Sequence, residues 1–450
     1  MSSLILVIGH NLHSPNLRFA PIIEKEDTRI MSALIFHIDV NSAFLSWEAA
    51  RRLRDDPDAQ DLRTIDAVIG GSEETRHGVV LAKSPSAKRC GIMTGEPLSH
   101  ARQKCPHLTV VPPDHELYVA SSRQFIRILE EVAPVIEQCS IDEAFCDMSG
   151  TEKLYGDPVS FANKLKDRIY RELGFTVNIG ISTNKLLAKM ASDFEKPNRV
   201  HTLFPEELPE KFWPLPVESL YGVGKSTSAR LRSLGITTIG ALAHTDRKML
   251  LSLFKSQGDY LWNSANGISD SVLADSSPAN KGYGNSITLP YDVTDAAVAH
   301  RILLSLCETV GARIRADGAY ISVVQVQIVD CDFHHRSRQM TFPSSTNVTE
   351  KIYSAALTLF DQAWDQSPIR LLGVSTGKAT TESYEQQSLF DQEKFEKLSR
   401  LNSAIDKIRS RYGEDSIMRA CFVDPADSEK EIHHMTGGMN KAKRKEKSPK

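Results

Sequence analysis

The sequence predicts a multidomain α+β protein, and three observations carry that expectation. Its 450 residues exceed what a single hydrophobic core holds. From residue 33 onward, short apolar strands alternate with segments of helical periodicity. A helix-rich stretch entered through Pro205, Pro209, Pro214 and Pro216 then separates two such alternating regions.

In the first region, 33 to about 203, Leu34–Asp39 reads as a short buried strand and Phe44–Leu53 as a helix. Thr64–Ile69, Val79–Ala82 and Leu108–Val111 read as strands, the last after a basic stretch. Tyr118–Val132 has helical spacing, and Val135–Ser140 and Ala144–Asp147 flank a tight turn. Val159–Glu172 is a helix, the β-branched Thr176-Val177 opens a strand to about Ser182, and Asn184–Asp193 is helical. Asp270–Gly284 is rich in Ser, Ala, Asp and Gly and reads as a linker to a second α+β region, Asn285 to about Thr380. Leu389–Met418 reads as a charged helix, and the chain closes on a basic tail.

Residues 1–31 read as detachable, because alternation worth folding begins only at Ala33-Leu34-Ile35-Phe36. Lys25-Glu26-Asp27 can be encoded as AAG-GAG-GAC, a sequence like a bacterial ribosome-binding site, which makes Met31 a candidate start. A translated, disordered arm is the alternative.

Composition narrows the class. Hydrophobic residues at 41% and charged residues at 25% are ordinary for a soluble protein. Seven scattered cysteines without a C-x-x-C pair suggest neither a disulfide framework nor a zinc ribbon, and a reducing cytoplasm suits them. No apolar run approaches the ~20 residues that span a bilayer, and Met1 to His10 lacks the basic leader of a signal peptide. A net charge of −3 argues against a uniformly basic nucleic-acid binder, yet a DNA groove needs only local positive charge.

The chemistry-bearing residues are carboxylates. Asp39 ends the first strand, and Asp142 and Glu143 lie in the turn between two later ones. Acids so placed can converge, and their mutual repulsion is relieved by hard divalent cations such as magnesium. Each acid could equally be a turn residue or a helix cap.

Phe36-His37-Ile38-Asp39-Val40-Asn41-Ser42-Ala43-Phe44 and Ser140-Ile141-Asp142-Glu143-Ala144-Phe145 resemble the two metal motifs of Y-family DNA polymerases, in their bacterial polymerase IV branch. Gly180-Ile181-Ser182-Thr183-Asn184-Lys185 and Ala188-Lys189-Met190-Ala191-Ser192-Asp193 extend the likeness, which covers roughly residues 33–390. The resemblance implies a right-hand polymerase: ferredoxin-like palm and small fingers over 32–203, a helical helix-hairpin-helix thumb over 204–275, and a linker at 276–284. An α+β little finger would follow at 285–381, then a clamp-binding motif and helix at 382–425 and a disordered tail at 426–450. It implies low-fidelity translesion synthesis by two magnesium ions, without proofreading. Asp39, Asp142 and Glu143 would be the catalytic metal ligands, completed by the Val40 carbonyl. The rivals are a cyclase on a similar palm, a non-catalytic DNA-binding relative, and a UmuC-like polymerase that needs accessory subunits.

By the same resemblance Phe44 is a steric gate against the ribose 2′-hydroxyl, although it could be only a core aromatic. Backbone amides of Ser42, Ala43 and Phe44 would receive the triphosphate of a deoxynucleotide. Lys88 stands where the family has an Arg, and the accompanying Tyr is missing around Ser84-Pro85, which leaves that contact a point charge rather than a fork. Lys196 matches a second phosphate contact; both lysines could instead be solvated surface residues. Gly222, Gly224 and Lys225 read as the hairpin of a helix-hairpin-helix that grips primer-template DNA by its backbone. Arg313, Arg315, Arg336, Arg338 and Lys378 could line one DNA-facing side of the little finger. Gln386, Leu389 and Phe390 resemble the sliding-clamp peptide of bacterial polymerases. A monomer with no membrane association completes the expectation.

Overall fold

The computed structural model describes residues 33–72, 76, 78–269, 272–273, 279–382, 392–423 and 434–435. The extension at 1–31, the clamp peptide Gln386, Leu389 and Phe390, and most of the basic tail lie outside the described residues.

Eight strands make the first two sheets: β1 (Ile35–Val40), β2 (Ala67–Gly70), β3 (Val80–Lys83), β4 (Thr109–Val111), β5 (Val135–Gln138), β6 (Glu143–Asp147), β7 (Val177–Ser182) and β8 (Val200–Thr202). The larger sheet has the order β5-β6-β1-β7-β8, with β1 antiparallel to both neighbours. With helices His115–Glu130 and Pro158–Leu173, strands β1, β5, β6 and β7 form the βαββαβ unit of a ferredoxin-like palm. Phe125, Leu129, Leu165 and Ile169 from those helices are buried in one core with Phe36 and Ile38 of β1. Each such side chain contributes about 1.5–3 kcal/mol on burial.

On the opposite face helix Lys185–Ser192 packs on β1, β7 and β8, and β7 is buried along its whole length, its polar Asn178 and Ser182 included. Gly180 permits this contact. A Cβ there would lie 2.0 Å from the Ala188 carbonyl oxygen. β8 pairs parallel with β7. It is a three-residue strand that periodicity does not reveal.

The small sheet β3-β2-β4 has its own core of Val68, Val80, Leu98, Ala101 and Leu108. The basic stretch that precedes β4 in the sequence holds two short helices, Pro85–Arg89 and Leu98–Lys104. Ser84 starts the first, its hydroxyl accepting from the Ala87 amide at 3.0 Å, with Pro85 in the first turn. Helices Lys225–Ser233, Ile239–Ala243, Arg247–Phe254 and Ser256–Ala265 then pack around Leu231, Leu242, Leu250 and Leu261.

The last sheet contains β9 (Gly284–Val293), β10 (Ile321–Asp330), β11 (His335–Thr346) and β12 (Ile369–Gly377) in the antiparallel order β11-β10-β12-β9. Helices Ala296–Ala316 and Thr349–Ala363 pack on Val324, Val326 and Ile328 of one face. On the other, the register aligns Gln339, Gln325 and Ser375 in one row and Ser337, Gln327, Gly373 and Ser286 in the next.

The arginines expected to share a DNA-facing side are not gathered on this open face. Arg336 and Arg338 stand opposite the core residues Ile328 and Val326, so they project to the helix side. Arg336 is ion-paired with Asp330 at 3.2 Å and Asp365 at 2.6 Å. Arg315 is buried and bonds Asp406 at 2.6 Å, holding helix Gln392–Tyr412 against the domain. Glu308 completes this latch, with Arg409 and Arg419 each 2.7 Å from its oxygens. Two residues of the tail expected to be disordered from 426 are also packed down. His434 and Met435 are buried, with His434 Nε2 3.0 Å from the Glu414 carbonyl.

Candidate active site

Strand pairing assembles the site. Asp39 faces Glu143 across the β1–β6 ladder, and the Val40 amide donates to the Asp142 carbonyl at 3.0 Å. The strand-end acid and the two hairpin acids therefore reach the same end of the sheet, as their spacing suggests. They do not close into a tight cluster there, because each carboxylate turns to its own partner. Lys196 Nζ pairs with Asp39 and lies 2.8 Å from Asp193. The Ser140 hydroxyl donates to Asp142 Oδ1 at 2.6 Å, and Lys189 Nζ donates to Glu143 Oε2 at 2.6 Å. Separate partners relieve the repulsion that gathering would impose.

Sequence reasoning missed the layer behind the acids. His37 is fully buried, with Nδ1 2.7 Å from the Ser192 hydroxyl and Nε2 3.4 Å from Glu143 Oε2. His37 holds the Glu143 carboxyl down at about 2, with burial opposing and Lys189 assisting. For Asp39 the balance reverses: burial outweighs Lys196 and lifts the carboxyl above its ordinary value. The Asp39 pocket thus has room for more positive charge than Lys196 supplies. With three carboxylates and a backbone carbonyl as hard oxygen donors, these residues fit magnesium.

A cleft of about 470 Å³ opens between the palm sheet and the β3-β2-β4 sheet. It is lined by Asp39, Val40 and Asp142 together with the nucleotide candidates Ser42, Ala43, Phe44, Lys88 and Lys196. Glu143 instead lines a second cleft of about 480 Å³ toward the helical region, beside Lys185, Lys189, Tyr221 and Tyr260.

At the floor of the first cleft Ser42 takes a left-handed conformation, φ 47° and ψ 52°, and no side chain caps the helix Ala43–Asp55 that follows. A serine held there is strained, so its neighbours must fix it. Asn41 does so: its Nδ2 donates to Asn178 at 3.1 Å, and its Oδ1 accepts from the Asn198 amide at 2.9 Å. The helix start therefore presents uncapped amides, an anion-binding arrangement.

Phe44 stacks on Tyr118, with centroids 4.4 Å apart and planes 6° off parallel. Burial pushes the Tyr118 phenol up to about 12, so this backing ring stays neutral. Lys88 is exposed on its short helix, and Pro85 begins that helix where the family's aromatic is missing. Lys83, not singled out in the sequence, lines the same cleft. Burial and then Lys88 hold its ammonium below the ordinary value.

In the helical region Gly222 has φ 87°, and a Cβ there would meet the Tyr260 hydroxyl oxygen at 2.8 Å. Gly224 begins helix Lys225–Ser233 without a side-chain cap, and Lys225 is exposed at its start.

Comparison with known proteins fits this geometry. Residues 38–193 match the impB/mucB/samB family, residues 280–389 its C-terminal domain, and residues 205–236 the helix-hairpin-helix motif of the same family. A DNA polymerase IV of Clostridium acetobutylicum is 44% identical over 395 residues, 88% of this chain and 99% of that one. One from Moorella thermoacetica is 39% identical over 391 residues, 86% and 96% of the two chains. A DNA polymerase IV 2 of Bacillus subtilis is 36% identical over 417 residues, 91% and 99%. A chimeric Y-family DNA polymerase of solved structure shares the fold, with a TM-score of 0.66 at 23% identity over 78% of this chain and all of that one.

The chain belongs to the impB/mucB/samB family, the Y-family polymerases. Within that family its similarity lies with the bacterial DNA polymerase IV group.

Proposed function

We propose that Asp39, Asp142 and Glu143, with the Val40 carbonyl, form the metal-binding catalytic centre of a DNA-directed DNA polymerase for translesion synthesis. The polymerase activity follows from the family. The placement of its parts on these residues is supported by the register that sets Asp39 opposite Glu143 beside the cleft containing Phe44 and Lys196. Two magnesium ions, when bound, would activate the primer 3′-hydroxyl and stabilise the leaving pyrophosphate.

The chain's own residues do the rest by positioning and electrostatics. The uncapped amides after Ser42 and the ammonium groups of Lys83, Lys88 and Lys196 hold the triphosphate of a deoxynucleotide. Lys196 reaches it by leaving Asp39. The Phe44 ring, fixed by Tyr118, occupies the space a ribose 2′-hydroxyl needs. His37 and Lys189 keep Glu143 ionised. Gly222, Gly224 and Lys225 grip a phosphate of primer-template DNA, and Gln386, Leu389 and Phe390 dock the chain, as a monomer in the cytoplasm, on the sliding clamp.

Primer extension on a primed single-stranded template tests the centre. Asp142→Ala should lower extension about 10³-fold or more, the scale of losing a main electrostatic contact to the transition state, with primer-template binding retained. Extension at the parent rate by that variant would remove Asp142 from the centre. No extension by a folded, DNA-binding parent would point to a needed accessory subunit.

A further inference from the structure

Outside the catalytic centre, Asp66, Cys90 and Cys105 bring one donor atom each to within 4.8 Å of the other two. They come from three segments of the β3-β2-β4 unit. Asp66 immediately precedes β2, Cys90 closes the helix Pro85–Arg89, and Cys105 closes the helix Leu98–Lys104. Cys90 Sγ is 3.9 Å from Asp66 Oδ1. In a tetrahedral zinc site, bonds of ~2.3 Å to sulfur and ~2.0 Å to oxygen put such a pair ~3.5 Å apart and two sulfurs ~3.8 Å apart. The donors thus need only small side-chain adjustments to surround one ion.

Packing accounts for Cys105, which is buried in the local core, but not for Cys90, which is exposed. The Ser86 hydroxyl bonds the same Asp66 oxygen, as an orienting group does for a ligating carboxylate. The two cysteines are 15 positions apart in sequence, too far for a local metal-binding signature.

We propose that Asp66, Cys90 and Cys105 bind one thiophilic divalent cation of the zinc class, with the fourth position open to solvent on the Cys90 side. Two thiolates select such an ion over magnesium, so the site does not compete with the all-oxygen catalytic centre. Each thiol releases its proton to solvent as its sulfur–metal bond forms. The ion would tie the helix that carries Lys88 to the end of the next helix and to the start of β2, fixing the wall of the nucleotide cleft.

Titration of the reduced, metal-free full chain with Co²⁺ tests the site, because only sulfur ligation gives the near-ultraviolet thiolate-to-cobalt charge-transfer absorption. The expected result is saturation of that band at one equivalent, reversal by Zn²⁺ and indifference to excess Mg²⁺. Cys90→Ser, at an exposed position, should abolish the band, and Ser86→Ala should weaken binding about 10- to 100-fold. Asp142→Ala should leave the band unchanged. Absence of the band would overturn the proposal, as would its persistence in Cys90→Ser. A Cys90–Cys105 disulfide whose reduction restores no cobalt binding would overturn it too.

Discussion

The sheet built on β1 and the sheet built on β10 are alike in one respect: each carries two long helices on one face. They differ in what covers the other. In the first, helix Lys185–Ser192 covers β1, β7 and β8, and β7 is buried from end to end. Around these covered strands polar groups meet solvent mainly where the strands stop, and Asp39, Asp142 and Glu143 are found there. In the second, no described residue covers the other face, which is surfaced by Gln325, Gln327, Gln339 and Ser375, while ionic groups such as Glu308 and Arg315 collect on the helix side. Sealing both faces concentrates chemistry at a point; leaving one open spreads a neutral surface over four strands.

The largest effect expected from breaking this division is at the latch. Glu308→Gln would leave Arg409 buried without its anion and cost about 3–5 kcal/mol, read as an earlier denaturant transition of the last domain. The parent should lose the same support in acid. Burial alone raises the Glu308 carboxyl, but Arg419 and Arg409 outweigh it and hold it below its ordinary value. Its contribution is therefore complete above the unfolded-chain value of ~4.3 and disappears as pH falls through the lower folded value. Denaturation midpoints from pH 7 to 3 should fall in the parent and much less in Glu308→Gln.

Two glycines sharpen the contrast between sealed and open faces. Gly180→Ala forces a Cβ against the Ala188 carbonyl and should cost about 3 kcal/mol. Gly373→Ala meets its nearest atom, the Ser286 Cβ, at 3.1 Å, beside a face with space to yield. It should cost less than ~1 kcal/mol by the same denaturation measurement. Equal losses would mean that the open face is packed as tightly as the sealed one.

A further effect, read in selectivity rather than stability, is a loss of discrimination. Phe44→Ala removes the ring that Tyr118 supports, relieving a clash worth about 1–3 kcal/mol. Preference for deoxynucleotides over ribonucleotides, measured by single-nucleotide insertion, should fall roughly 10- to 100-fold. An unchanged ratio would make Phe44 a core aromatic only.

Much of this was legible in the residues because it is local. A run such as Leu34–Asp39 announces a buried strand ending in an acid, and Ser140-Ile141-Asp142-Glu143 announces a hairpin. The cleft residues Ser42, Phe44, Lys88 and Lys196 were reached through the family likeness, since no periodicity joins them. What escaped depends on distant pairing. β8 is too short for a pattern, and its place beside β7 is set by the intervening helix. His37 looks like any interior position until Ser192 and Glu143 meet it. Arg315 reads as a surface cation, and only the return of the chain 91 residues later makes it a buried tie.

The neutral rows on the open face carry a consequence for ionic strength. Binding a polyanion weakens with salt in proportion to the phosphates it neutralises, with a logarithmic slope of about −0.9 for each. Amides and hydroxyls such as those of Gln325, Gln339 and Ser375 displace no counterions, so contacts made through them add nothing to that slope. If primer-template DNA lay across this face, added salt would loosen a hold at Lys225 before it loosened contacts made through those neutral rows.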